Sequence, residues 1–260
     1  MIVVTGATGN VGRPLVAALE AAGEQVRAVS RRGPYRADLA EPESLAPALA
    51  GAKVVFLLTA GDRLGADLTP VLSVVRSSGV PRVVLLSSQG VRTGHHPPAL
   101  EDAVRASGLE WTILRPGGFH SNALQWAESV RSRREVAAPF GDVALPVIDP
   151  ADIAEVAAVV LRDPAHAGRT YELTGPAPIS PRAQAAAIAA AVGEPVRFVE
   201  RTRAEAKAAM VRFMPEPVVE STLELLSSEQ REVSPVVEQL LGRPARPFAE
   251  WAANEAAAFK

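Results

Sequence analysis

The chain contains no cysteine. Disulfides, thiolate nucleophiles and cysteine metal ligands are thereby excluded, and the composition fits a reducing cytoplasm. Lysine is scarce, at Lys53, Lys207 and Lys260 only, and tyrosine is confined to Tyr35 and Tyr171. Neither sign of charge dominates. The formal net charge of −2 gives no electrostatic reason to expect nucleic acid or an anionic membrane surface as partner. Long hydrophobic runs are missing too: Val54 to Leu58 and Val83 to Leu86 are far too short to span a bilayer. The four histidines show no metal-ligand spacing, and no G-x-S-x-G elbow is present for an acyl hydrolase. The N-terminus enters an apolar strand at Ile2 and turns at Gly6, so no targeting segment is expected there.

What is present is regular alternation. Strands are expected at Met1–Thr5, Gln25–Ser30, Lys53–Thr59, Arg82–Ser88 and Glu110–Arg115, with a weaker one around Tyr35–Asp38. Helices are expected at Val11–Ala22, Pro42–Ala50, Ala66–Ser78 and Pro98–Ser107. Gly23, Gly51, Gly79 and Gly108 follow them, where a left-handed cap needs a residue without Cβ. This pattern predicts an α/β fold, a doubly wound parallel sheet with right-handed crossovers. After residue 150 the pattern loosens. Asp149 is expected to cap a helix beginning at Pro150, "RTYELTG" reads as a strand, and Ser180 caps a helix that carries Pro181. Proline-punctuated helical sequence runs from Arg203 to the end. The arginine-rich "VRSRREV" reads as a solvated helix end. The expected division is a dinucleotide-binding domain over 1–150, then remaining sheet elements and a smaller, mainly helical lobe over 151–260.

The opening, "MIVVTGATGNVGRPL", places Gly6, Gly9 and Gly12 between a strand and a helix. Gly6 permits a sharp turn, Gly9 lets the backbone approach a pyrophosphate, and Gly12 allows the helix to pack tightly on the sheet. The free N–H groups of the first helical turn, around Val11 and Gly12, would face the anion, with Thr8 and Asn10 adding side-chain donors. A site that prefers NAD carries an acid at the end of the second strand to hold the ribose 2′-hydroxyl. Here that position reads Arg31 and Arg32. A carboxylate about 4 Å from a 2′-phosphate would repel it by roughly 4 kcal/mol per unit charge, and a guanidinium reverses the sign. NADP(H) is the expected cofactor.

These residues resemble the atypical short-chain dehydrogenase/reductase superfamily, in its NmrA-like, NAD(P)H:quinone-reductase-like branch, which has a Rossmann fold. The resemblance covers most of the chain: "TGATGNVG", "ADLAEPESLAPALAGAKVVFLLT", "SGLEWTILRPGGFHSN", "VIDPADIAEVAAVVL", "GRTYELTGP" and "RPFAEWAANEAAAF". It implies that Asp38 and Leu39 flank the adenine, and that Thr59, Ala60 and Gly61 lie along the cofactor. It also implies that Pro116 and Gly117 border the nicotinamide. Ser87 and Ser88 end the fifth strand, where the superfamily commonly keeps a catalytic serine. Structural roles compete as the lesser readings: Asp38 capping the following turn and Thr59 ending a strand.

One departure matters. Superfamily carbonyl reductases and epimerases use a Tyr-x-x-x-Lys pair, whereas Tyr35 is followed by Leu39, Tyr171 by Gly175, and Thr93 and Pro97 stand where the pair would fall. Hydride transfer to a quinone or conjugated acceptor needs orientation more than a dedicated acid. The expected activity is therefore NADPH-dependent reduction of a quinone-like or aromatic small molecule. The alternative is an NADP(H)-binding redox sensor without turnover; an epimerase is disfavoured by the missing pair. If an acid is needed, Ser87, Ser88 and His120 are the candidates, with His95 and His96 nearby in sequence. Phe119, His120, Asn122 and Trp126 would line the substrate pocket, Trp126 serving equally as packing core. A homodimer is the assembly entertained.

Overall fold

Each of the four glycines expected to stop a helix does so, with φ between +71° and +79° at Gly23, Gly51, Gly79 and Gly108. The computed structural model describes residues 1–59, 67–228 and 232–260. Its first half runs β1 (Ile2–Val4), α1 (Gly12–Ala21), β2 (Val26–Ser30), β3 (Tyr35–Arg36), α2 (Ala46–Leu49) and β4 (Val54–Leu58). It continues through α3 (Thr69–Ser77), β5 (Arg82–Leu86), α4 (Gln89–Arg92), α5 (Ala99–Ala106) and β6 (Glu110–Pro116). Then come α6 (Ala127–Arg133), β7 (Glu135–Ala138), α7 (Pro150–Arg162), β8 (Arg169–Leu173), α8 (Pro181–Val192) and β9 (Arg197–Glu200). Helices α9 (Arg203–Met210), α10 (Glu216–Ser227), α11 (Val236–Leu241), α12 (Phe248–Asn254) and α13 (Ala256–Phe259) complete the order.

Contacts group the chain into two discontinuous units: 1–116, 150–173 and 239–242 in one; 117–149, 174–238 and 243–260 in the other. The first holds a seven-stranded parallel sheet ordered β3-β2-β1-β4-β5-β6-β8. Alternate side chains leave opposite faces of each strand. Val3, Val55, Leu57, Val83, Leu85 and Ile113 turn toward one layer, packing with Leu49, Leu72, Val75, Leu100 and Val104 of α2, α3 and α5. On the other face, α1 and α7 pack on each other and α7 covers β4, β5 and β6. Both faces are covered, which is why these strands read as unbroken apolar runs. Strand order reverses between β1 and β4, so the carboxyl ends there open into the crevice where such sheets bind ligands. Thr5 fastens that point: its hydroxyl donates to Phe56 O (3.0 Å) and accepts from Leu58 N (2.9 Å).

Two local expectations need correction, and a third holds but goes further. The strand expected over Tyr35–Asp38 is only two residues long, because Asp38 already bonds into the next turn. The helix expected from Ala66 begins, among the described residues, at Thr69; Ala66 lies outside them. "VRSRREV" is more than a helix end: Arg134 takes φ +52°, reversing the chain into β7. In the second unit β7 pairs in parallel with β9, a strand the local sequence did not announce. The core of that unit gathers Val130, Val136, Ile188, Phe248, Trp251 and Phe259, so its centre is apolar and largely helical.

Candidate functional site

The glycine turn has the shape expected of a phosphate cradle. Gly6 takes φ +62°, and Gly9 N–H closes the turn on Gly6 O at 3.0 Å. A Cβ on Gly12 would lie 2.1 Å from Gly6 O and 2.8 Å from Ala7 Cα, so α1 can start this close only with hydrogen at that position. No side chain caps α1, and its first turn carries no acid. Val11 and Gly12 N–H donate to nothing among the described residues. Uncapped amides at the positive end of a helix dipole, with no competing carboxylate, fit a diphosphate. Thr8, Gly9 and Asn10 are exposed at the turn's rim.

Arg31 and Arg32 stand exposed in the turn after β2, and with Thr8 they line an open hollow of about 460 Å³. Arg13, on the first turn of α1, adds a third guanidinium near Thr8, bonding its carbonyl at 3.2 Å. The hollow therefore offers positive charge and the Thr8 hydroxyl beside the cradle, which fits the adenosine side of a phosphorylated dinucleotide. Asp38 is occupied locally: Oδ1 accepts Ala40 N–H (2.9 Å), and the main chain exchanges bonds with the Ser44 hydroxyl. Leu39 packs half-buried against the sheet core. Thr59 follows β4 directly, with Oγ1 buried and unpartnered among the described residues, and Ala60 and Gly61 lie outside those residues.

At the carboxyl end of β5 the two adjacent serines face different partners. Ser87 is buried and donates to Glu101 Oε1 at 2.6 Å. Glu101 is fully buried on α5, and Arg115 binds it through Nε (2.8 Å) and Nη2 (2.7 Å), with Arg105 at 2.9 Å. Burial pushes the Glu101 carboxyl up, but the bonds from Arg115 and Ser87, the Arg115 charge and the Arg105 bond together hold it below its usual value. Arg115 also meets Glu172 at 3.2 Å; there burial wins, and Glu172 is raised. Ser88 instead caps α4, accepting Gly90 N–H at 3.0 Å, and its Oγ lies 2.9 Å from His96 Nδ1. His95 is tied separately, Nδ1 to Thr93 Oγ1 at 2.8 Å. Sequence reasoning did not single out Glu101 or Arg115. The signal was present, since Glu101 lies beside Leu100 and three residues before Val104, both turned to the core.

In the first unit Pro116 ends β6 and is buried. In the second, Phe119 enters a 3₁₀ turn over His120–Trp126. His120 is 2 % exposed, its N–H on Ile148 O (2.8 Å) and its ring edge-on to Phe248 (5.3 Å between centroids) and Trp251 (6.2 Å). Trp126 packs half-buried against the core of that unit, Gly117 is half-buried and Asn122 is exposed.

A parallel sheet of this order, with a glycine cradle at the switch point, defines a Rossmann dinucleotide-binding protein. Comparison with known proteins takes the assignment further. The NAD(P)H-binding family matches residues 6–164. A (4-alkanoyl-5-oxo-2,5-dihydrofuran-3-yl)methyl phosphate reductase of Streptomyces griseus is 37% identical, over 100% of this chain and 99% of its own length. An NAD(P)H azoreductase of Xenophilus azovorans is 34% identical over the same shares. An Escherichia coli NADPH-dependent quinone oxidoreductase complexed with NADPH has the same fold: TM-score 0.80, 23% identity, 98% of this chain and 99% of that one. The chain belongs to the NAD(P)H-binding family and is an NAD(P)H-dependent oxidoreductase. Among the described residues no helix is long and apolar enough to cross a membrane, and no cluster suits a metal ion.

Proposed function

We propose that the protein is an NADPH-dependent reductase of quinone-like or other aromatic small molecules. The observation that carries the cofactor choice is the pair Arg31 and Arg32 beside Thr8, where an NAD site would hold an acid. The bound cofactor would supply hydride. Val11 and Gly12 amides would hold its diphosphate, Arg31 and Arg32 its 2′-phosphate, and Thr59 and Pro116 would lie along the rest. The substrate class is supported by the missing Tyr-x-x-x-Lys pair, which favours acceptors that take hydride without strong acid assistance, and by the azo and quinone acceptors named for the relatives.

Among the candidate donors we favour Ser88. The Ser87 proton already goes to Glu101, and His120 is enclosed by aromatic rings. The test is direct: purified protein is mixed with NADPH and a panel of quinones and azo dyes while reduced-nicotinamide absorbance is followed. Oxidation above the uncatalysed rate, faster with NADPH than NADH, is expected. Tight NADPH binding with no turnover on any acceptor would replace this reading with the sensor.

A further inference from the structure

We propose that His96 relays a proton through Ser88 to the acceptor that this protein reduces, a step that rests on the reductase reading above. Valence decides where the Ser88 proton can go. A serine hydroxyl has one proton to give and two lone pairs to receive. Gly90 N–H occupies one lone pair of Ser88 Oγ, at 3.0 Å. With His96 Nδ1 at 2.9 Å donating into the other, the hydroxyl proton is left to be donated outward. Ser87, one residue earlier, has no such freedom, because its proton is held by a buried carboxylate.

The histidine is seated rather than merely nearby. A Cβ on Gly90 would fall 2.5 Å from His96 Nδ1, so the ring lies directly over that glycine. The N–H groups of His95 and His96 both bond Gly90 O at 2.9 Å, fixing the loop under the ring. His95 is diverted to Thr93 and does not compete for Ser88. Ser88 and His96 are both half-buried, so solvent reaches the pair. They stand at the carboxyl end of β5, next to β4, on the edge of the sheet where ligands enter. Burial, with the His95 charge second, holds His96 below its usual value, which favours the neutral ring, and the relay places its single N–H on Nδ1, facing Ser88 Oγ.

The balance is simple. The acceptor gains a hydride from reduced nicotinamide and one proton from solvent. As its oxygen forms a bond to the Ser88 proton, the Oγ–H bond breaks and Oγ takes the proton from His96 Nδ1. Nε2 takes a proton from water, leaving a neutral ring that returns to the Nδ1–H tautomer by exchange with solvent. Ser88 touches the acceptor; His96 acts through it.

Two measurements test this. In ¹⁵N-histidine spectra of the ligand-free protein, His96 is expected as the Nδ1–H tautomer, and Ser88→Ala should move its Nδ1 resonance. In turnover, His96→Asn keeps an N–H near Ser88 but cannot relay, so kcat with a quinone should fall about 10²-fold. The acceptor KM, the NADPH affinity and the melting temperature should stay at wild-type values. An Nε2–H tautomer, or a His96→Asn variant with wild-type kcat, overturns the relay and leaves the reductase reading standing. A wild-type protein inactive on the whole panel overturns both.

Discussion

Replacing Gly12 by alanine tests the cradle most severely. The added Cβ would sit 2.1 Å from Gly6 O and 2.8 Å from Ala7 Cα, both backbone atoms with no rotamer to escape into. Real Cβ contacts stop near 3.0 Å, so the helix start or the turn must move by about 0.9 Å. Leu15 and Leu19 of α1 are fully buried and resist that movement. Overpacking of this kind costs about 1–3 kcal/mol. At about 2–4 °C per kcal/mol for a chain of this size, melting should fall by about 2–12 °C. The same shift carries an amide beyond hydrogen-bond range of a phosphate oxygen, and each charge-assisted bond lost costs about 1.5–3 kcal/mol. NADPH affinity, read by fluorescence titration, should therefore weaken about 10- to 150-fold. Gly23→Ala is the control: its Cβ meets nothing within 4 Å but must adopt φ +79°, so it should lower stability by about 1–2 kcal/mol and leave binding alone. A Gly12→Ala protein with wild-type melting and wild-type affinity would refute the steric argument.

Arg31→Ala should weaken NADPH binding about tenfold, one exposed charge-assisted contact, while leaving NADH affinity unchanged; equal losses for the two coenzymes would show that Arg31 does not read the 2′-phosphate. Glu101→Gln should destabilise the protein by about 3–5 kcal/mol in urea melts, because Arg115 then loses its buried countercharge. The pH dependence has a definite sign. The Glu101 carboxyl is held below its ordinary 4.5 in the fold, so its contribution is complete above that pH and lost as pH falls through the lower folded value. The wild type should thus lose stability on acidification below about pH 4.5, and Glu101→Gln should flatten that limb.

The sheet was legible because its signals are local: an apolar run, a helix of one turn-period, then a glycine at each cap. The cradle was legible for the same reason, being one turn long. The pairing of β7 with β9 was not. Glu135–Ala138 and Arg197–Glu200 are short, carry charge at their ends, and meet across about sixty residues, so neither advertises the other. Glu101 was hidden differently. In "PALEDAVRASG" its place beside Leu100 and before Val104 hints at the core face, but the charge reads as solvated until the return of Arg115 on β6 shows why a carboxylate can sit there fully buried. Asp38 shows one residue suited to two roles: its Oδ1 closes the following turn on Ala40 N–H.

The strand order carries a consequence for synthesis. The partner of β6 is β8, which the chain supplies only after a detour through residues 117–149. A growing polypeptide that has emerged as far as Pro116 therefore presents Thr112–Pro116 with one row of main-chain groups unmatched. At cellular elongation speeds the missing strand arrives roughly 3–11 s later. During those seconds an apolar border centred on Ile113 and Leu114, fully buried in the finished fold, is open to any neighbouring nascent chain.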